Sequence, residues 1–400
     1  VGDVRDLLNQ LPESPTSTKG TNRRRVLMAA AIKAATQADI ARRAALSPAT
    51  VSAVVRELAD TGLLSGTKDR GGKVRLAPVD DVGVGVHLGF SHLAVIARRL
   101  DREFDQVSTQ VTAEGVGRGW PRMLPVVKEM IAEAVRGTQR RMEDVLSLGI
   151  AVPRMVDPRT AAFTEPILFP WRAGDDPAKD LGTWLKVRAV IDNDANLGAL
   201  AEQTYGTREN SETVVYVKAS TGVGAGIIVH NTVLRGHRGM AGEIGHLTVD
   251  TDGAVCQCGG RGCLETVIGA EALIGQARAA RARNSASGPE TLEHLVRSAN
   301  AGDAVCMRVV QDAGRHLGHA LAQLCNTLNP DLIVIGGQLA ECPLLLDGCK
   351  ETLHRFALPG AVAEGSRFAL ALSELGTWAE AQGALVLGLR GQENAGSAPA

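Results

Sequence analysis

Nowhere in the 400 residues does an apolar run reach the ~20 residues that a membrane-spanning helix requires. The first segment, "VGDVRDLLNQLPESPTSTKG", also lacks the basic head and apolar stretch of a secretory leader. A cytoplasmic protein with no membrane partner is therefore expected, and in that compartment disulfides are rare. Cysteine is scarce as well. There are seven, an odd number. Cys306, Cys325, Cys342 and Cys349 are scattered in apolar surroundings and read as ordinary core thiols, so the disulfide framework of a small secreted domain is excluded. Net charge is close to absent, at −1, but the balance is uneven. Lys and Arg outnumber Asp and Glu in the first 80 residues and are outnumbered after them. A basic head on an acidic body predicts that the head meets a polyanion.

What is present fits a folded chain, with 44% hydrophobic and 22% charged residues at a length that calls for two or three domains. Residues 1–20 are polar, hold two prolines and read as a loose arm. A helix is expected from about Asn22 through "RRRVLMAAAIKA". The stretch "TQADIARRAALSPATVSAVVRELADTGLL" divides into two amphipathic helices. Thr36 can cap the first and Ser47 the second, with Pro48 in a first turn where a missing N–H costs nothing. Ile40, Leu46, Val51, Val54, Val55 and Leu58 recur at helical spacing and predict the inward face. Thr50, Ser52, Ala53 and Arg56 fall on the outward face of the second helix. The segment "LLSGTKDRGGKVRLAP" then reads as two short strands around Gly71 and Gly72.

Helices, caps, hairpin and charge agree on a winged helix-turn-helix over residues 21–78, with a recognition helix from Pro48 to about Asp60. The candidates for contact with double-stranded DNA are Ser47, Thr50, Ser52 and Arg56 on the helix and Lys68, Arg70, Lys73 and Arg75 on the wing. A helical protein-docking module with a solvated charged loop is the competing reading.

The body, residues 81–390, reads as α/β. "VGVGVHLGFSHLAVIARRL" looks like two strands joined by a glycine-containing turn, followed by a strand near "QVSTQV", a helix near "PRMLPVVKEMIAEAVRG" and the buried strand "VLSLGIAVP". Later, "TVVYVKASTGVGAGIIVHNTVLRG" repeats the theme, which predicts two lobes related by internal duplication. "LCNTLNPDLIVIGGQLAE" closes with a buried strand and a Gly-Gly turn. Glycine turns at strand ends let backbone N–H groups approach phosphates. Gly89, Gly222, Gly224, Gly226, Gly336 and Gly337 are candidates for that role. "VIDNDANLGALAE" places Asp192 to Asn196 at a strand–helix junction. Such side chains can grip hydroxyls or take a proton from one; they can equally cap the helix, and both readings stay open. The tail, residues 391–400, reads as disordered.

One stretch stands apart. "VCQCGGRGCLET", residues 255–266, holds three cysteines within eight positions. Outside an oxidising compartment, a cluster this tight favours a metal over a disulfide.

The motifs "DNDAN", "STGVGAGII", "GHRGMAGEIGH", "CQCGGRGCLE" and "NPDLIVIGG", in this order, resemble the ROK family of bacterial repressors and sugar kinases. The resemblance spans nearly the whole chain. It implies the two-lobed actin-like ATPase fold. It implies zinc held by His246, Cys256, Cys258 and Cys263 in a loop over about residues 243–266, a closed Cys₃His set suited to a structural ion. It also implies that Asn193, Asp194, Glu243, His246 and Glu265 contact a sugar, with Asp194 as the base in a kinase. Gly222 and Gly224 would face nucleotide phosphates, and Gly336 and Gly337 the adenosine. A winged helix-turn-helix in front is what the family's transcription factors carry.

The sequence departs from the kinase pattern in one decisive place. The family's kinases carry a D-x-G-G-T turn on the first strand of the body, whose Asp helps to place Mg²⁺. Here "HLGFS" puts His87, Phe90 and Ser91 at the Asp, Gly and Thr places, with Gly89 retained. Imidazole is a poor exchange for a hard oxygen ligand, so ATP and Mg²⁺ are not expected, Asp194 reads as vestigial for catalysis and His87 as a strand residue at a degraded site. Arg154 stands where the family often has Gly. It reads as a surface residue, or else as one favouring an anionic ligand such as a phosphorylated sugar. Ile167 stands about where kinases have Asn. The expectation is a transcriptional regulator of sugar-metabolism genes, most often a repressor, acting as a homodimer or homotetramer on an inverted-repeat operator and responding to a sugar or sugar phosphate. The alternatives are a bifunctional ATP-dependent sugar kinase with a DNA-binding head and a ligand-blind DNA-binding protein.

Overall fold

Among the described residues from 18 onwards, three helices and a hairpin form the head of the first of two units, residues 1–197 with 380–400, and 198–379. The computed structural model describes residues 4–5, 18–66, 72–103, 107–112, 114–164, 171–172, 174–206, 211–282, 288–363 and 367–393. The head consists of α1 (Thr18–Ile32), α2 (Gln37–Ala44), α3 (Pro48–Asp60), β1 (Leu64–Gly66) and β2 (Val74–Leu76). α1 starts four residues before the expected Asn22, and its first turns carry Lys19 and Arg23 to Glu57 on α3. This tertiary pairing has no trace in the local pattern. Within the segment read as a loose arm, Val4 is fully buried and Arg5 Nη2 donates to the Val145 carbonyl at 2.8 Å. Residues 6–17 lie outside the described residues.

The caps are as expected. Thr36 Oγ1 accepts from Asp39 N, and Asp39 accepts in return from Thr36 N, closing a capping box on α2. α2 ends at Ala45 in the left-handed region (φ 50°, ψ 48°). Ser47 Oγ accepts from Thr50 N at 3.1 Å to open α3. Ile40, Val51, Val54, Val55 and Leu58 are buried, and Leu46 is half-buried. The hairpin is antiparallel, with Leu64 opposite Leu76, and Ala35 adds a bridge to Val74.

Behind the head, β3 (Val82–Leu88), β4 (Leu93–Arg99), β5 (Ser108–Thr112), α4 (Trp120–Gly137), β6 (Val145–Val152), α5 (Pro177–Leu185) and β7 (Ala189–Asn193) follow. The sheet runs β5-β4-β3-β6-β7. β3, β4 and β5 pair antiparallel in turn, while β6 and β7 are parallel to β3. Alternation along β3 and β6 separates two faces. Val82, Val84, Val86, Leu148 and Ile150 pack with Met123, Val127 and Ile131 of α4. On the other face Gly83, Gly85 and Gly149 admit the C-terminal helix, Ala379–Glu393. A Cβ at Gly85 would stand 2.7 Å from Leu385 N.

α6 (Asp194–Tyr205) leads into the second unit: β8 (Thr213–Ala219), β9 (Val223–Val229), β10 (Thr232–Val233), α7 (Glu265–Ile268), α8 (Ala270–Ala282), α9 (Leu292–Asn300), α10 (Ala304–Leu328), β11 (Leu332–Gly336), α11 (Leu344–Phe356) and β12 (Ala369–Leu372). Its sheet runs β10-β9-β8-β11-β12, again an antiparallel meander followed by two parallel strands. Strand order and direction thus repeat those of the first unit, as the duplicated glycine-turn motifs predict. Cys306, Cys325, Cys342 and Cys349 are buried free thiols. Among the described residues no helix is long and apolar enough to cross a membrane.

Candidate metal loop and ligand-holding residues

In the second unit, Glu243 precedes a one-turn helix, Ile244–His246, that points His246 at the cysteine loop. His246 Nδ1 lies 3.7 Å from Cys256 Sγ, and Cys258 Sγ lies 3.7 Å from Cys263 Sγ. All four ligand atoms fall within 4.8 Å of one another. A disulfide needs about 2.05 Å, so these sulfurs are not bonded. A tetrahedral ion with legs of about 2.3 Å to sulfur and about 2.0 Å to nitrogen sets its ligand atoms about 3.5–3.8 Å apart, which the two close pairs match. The loop that does this needs glycine at two turns: Gly259 has φ 88° and Gly262 φ 63°. Burial pushes the Cys263 thiol up to about 12, whereas the Gly260 N–H draws that of Cys258 down. The donor set, three sulfurs and one imidazole with none left over, fits a closed four-coordinate site for a soft-ligand divalent cation.

The other imidazole nitrogen, Nε2, lies 3.8 Å from Glu243 Oε2. His246 therefore lies between the cysteine cluster and a half-exposed carboxylate. Glu265 opens α7 and is held at both oxygens: Oε2 accepts from Val223 N at 3.0 Å, and Oε1 from Gln257 Nε2 at 3.2 Å. Gln257 sits between Cys256 and Cys258, and nothing in the spacing of the motif points to this contact.

In the first unit the strand–helix junction uses its side chains in two ways. Asn193 Oδ1 accepts from the N–H groups of Ala195 and Asn196, and its Nδ2 donates to the Arg154 carbonyl at 3.2 Å. Asn193 thus realises the helix-capping reading. Asp194 is only 5% exposed, and its Oδ2 lies 3.7 Å from His87 Nε2. His87 Nδ1 lies 4.0 Å from Glu380 Oε2. His87 is therefore more than a strand residue at a degraded turn: it stands between two buried carboxylates. Glu380 escapes sequence reasoning because it lies far along the chain. Arg154 is buried rather than on the surface, and Asn193 Nδ2 holds its carbonyl at the end of β7. Ile167 lies outside the described residues.

The glycines have local reasons to be glycine. A Cβ at Gly222 would stand 2.6 Å from Glu265 Oε2, one at Gly336 2.6 Å from Tyr216 Cζ, and one at Gly89 2.8 Å from His87 Cε1. Gly337 has φ 84° and its Cβ would stand 2.5 Å from the Ala219 carbonyl. Gly224 and Gly226 lie within β9, opposite Lys218 and Tyr216. In the head, Ser47 and Thr50 are occupied with each other and the cap, their hydroxyls 2.8 Å apart. Arg56, Lys73 and Arg75 are exposed and Ser52 half-buried. Lys68 and Arg70 lie outside the described residues.

A family model described as "ROK family" matches residues 83–390. The glucokinase of Halalkalibacterium halodurans is 34% identical over 257 residues, 61% of this chain and 77% of that protein. The Escherichia coli DNA-binding transcriptional dual regulator NagC is 30% identical over 335 residues, 77% of this chain and 78% of that protein. A crystal structure of a ROK family transcriptional regulator, a homologue of the E. coli MLC protein, superposes with a TM-score of 0.72 at 23% identity, over 94% of this chain and 97% of that one. That likeness establishes the fold.

Proposed function

The chain belongs to the ROK family, and from that premise we propose that it is a DNA-binding transcriptional regulator, a repressor, of sugar-metabolism genes. The observation that carries the reading is a capped helix-turn-helix with a basic hairpin in front of a ROK body. Residues 21–78 serve as the winged helix-turn-helix and residues 81–390 as the ligand-sensing, dimerising body. Arg56, Lys73 and Arg75 are exposed for phosphate or base contact, with Ser52 beside them. Lys68 and Arg70, which lie between β1 and β2 in the sequence, are the remaining candidates for phosphate contact. Ser47 and Thr50 set the helix start, and contact DNA only around that cap. A homodimer or homotetramer presents paired heads to an inverted repeat in cytoplasmic DNA.

His246, Cys256, Cys258 and Cys263 hold structural zinc, which would fix the loop carrying Glu243 and Glu265. Asn193, Asp194, Glu243, His246 and Glu265 are the sugar-binding residues. An effector acts only if it favours one arrangement of the heads over another. Phosphoryl transfer depends on charge neutralisation around the phosphates. With His87 where a kinase of this family has its Mg²⁺-placing Asp, that activity is lost, and Gly89, Gly222, Gly224, Gly336 and Gly337 persist for packing.

The test is thermal unfolding of the zinc-loaded protein with glucose, xylose, N-acetylglucosamine and their phosphates, each with and without Mg·ATP. One sugar should raise the midpoint by mass action, and Mg·ATP should not. A rise with Mg·ATP that grows in the presence of sugar would overturn the loss of kinase chemistry and favour the bifunctional enzyme.

A further inference from the structure

His87 is the last residue on the helix-facing side of β3. The run Val82–Leu88 alternates strictly, so Gly83, Gly85 and His87 share one face. The two glycines let the C-terminal helix lie against the strand, and its first turn brings Glu380 to the ring. From the other side, α6 opens with Asp194. Neighbouring strands place Ala94 and Ala151 beside His87 in the register, so small side chains flank the imidazole. His92 packs edge-on, with ring centroids 5.0 Å apart. Gly89 leaves room that any Cβ would take from the ring. The ring is fully buried, and Asp194 and Glu380 are 5% and 3% exposed.

Carboxylates withdrawn from water need donors or opposite charge close by. The His87 imidazole stands between them, Nε2 3.7 Å from Asp194 Oδ2 and Nδ1 4.0 Å from Glu380 Oε2, close enough to fill the space beside each carboxylate but longer than a hydrogen bond. We propose that His87 is a positioning residue for sugar binding: its ring, wedged between two buried carboxylates, keeps Asp194 in its binding orientation from the Nε2 edge, with Glu380 facing the Nδ1 edge. This rests on Asp194 being a sugar contact, as proposed above, and adds a residue pair, His87 and Glu380, that touches no sugar.

Two substitutions separate the nitrogens. In His87→Gln the amide nitrogen falls near the place of Nε2 and faces Asp194. In His87→Asn it falls near the place of Nδ1 and faces Glu380. The full-length zinc-loaded protein is titrated calorimetrically with glucose, xylose and N-acetylglucosamine, with the unfolding midpoint of each variant measured alongside. Both variants lose midpoint to a similar degree. The sugar that binds the wild type binds His87→Gln within about threefold and His87→Asn at least about tenfold (about 1.4 kcal/mol) more weakly, because only the longer amide reaches the Asp194 side of the ring's place. Glu380→Gln, which keeps the ring and the volume, weakens binding a few-fold. Equal affinity in wild type, Gln and Asn variants overturns the inference and leaves the sugar reading intact. Equal weakening in Gln and Asn overturns the Nε2 assignment. If neither His87 variant folds, unchanged affinity in Glu380→Gln overturns the role of Glu380. A wild type that binds none of the three sugars overturns the sugar reading, and this inference with it.

Discussion

At the residue scale, Asp303 makes a charge-dependent contribution whose sign is fixed. It caps α10 by accepting from Cys306 N at 2.9 Å and pairs with Arg281 at 2.5 Å. The Cys306 N–H first, then the guanidinium, holds its carboxyl at about 2, against about 3.9 in an unfolded chain. The folded state therefore releases this proton more readily. The contribution is complete above about pH 4 and disappears as pH falls towards about 2. Asp303→Asn keeps a capping oxygen but not the charge. The midpoint difference between wild type and Asp303→Asn should be present at neutral pH and close between about pH 4 and about pH 2; a difference independent of pH contradicts this origin. Gly85 makes a steric prediction. A methyl group there meets the backbone of the C-terminal helix at Ala381 and Leu385, so Gly85→Ala should cost about 1–3 kcal/mol, read as a lower urea midpoint.

At the element scale, the recognition helix and the wing separate two kinds of contribution. Ser47→Ala removes a cap and should lower stability by about 1 kcal/mol without altering the salt dependence of DNA binding. Arg56→Ala, Lys73→Ala and Arg75→Ala should leave stability unchanged, and each lost phosphate contact should reduce the salt slope of DNA binding by about 1. In the cysteine loop, Cys258→Ser should reduce bound zinc from one ion per chain, measured by atomic absorption, and lower the unfolding midpoint. Full zinc content in that variant contradicts the ligand set.

These elements were legible because their signals are local: caps three residues apart, helical spacing of Val51, Val54, Val55 and Leu58, strict alternation in Val82–Leu88. The start of α1 was not, since Lys19 and Arg23 are drawn into the helix by Glu57, more than thirty residues on. For the same reason Gln257 at Glu265 and Glu380 at His87 could not be read: each contact is made by folding and not by a motif. The resemblance marked His87 as a loss, and only the folded arrangement reveals the two carboxylates beside it.

At the scale of the whole molecule, the repeated strand order of the two sheets matches a duplication visible in the sequence as two glycine-turn hairpins. The tie between head and body was not visible. Arg98, on β4, is 2% exposed, and its guanidinium donates to the Ala31 carbonyl at 2.5 Å and to the Arg102 carbonyl at 2.7 Å. A cation thus meets the last turn of α1, where helix carbonyls carry partial negative charge. In sequence Arg98 is one more charge in "ARRL". Arg98→Met should lower hydrogen-exchange protection in the last turn of α1 more than in the strands of the second unit. Uniform loss in both contradicts a local tie.

The proposed regulator joins a sequence-specific DNA-binding head to a sugar-sensing body that governs it. The most direct measurement is selection of the full-length, zinc-loaded protein on randomised duplex DNA, followed by affinity for the enriched duplex at physiological salt with and without the sugar that raises the unfolding midpoint. An inverted repeat should be bound at least about 10³-fold more tightly than random duplex, with a change of about fivefold or more when the sugar is added. No enriched sequence, or an enriched sequence whose affinity the sugar leaves unchanged, would contradict it.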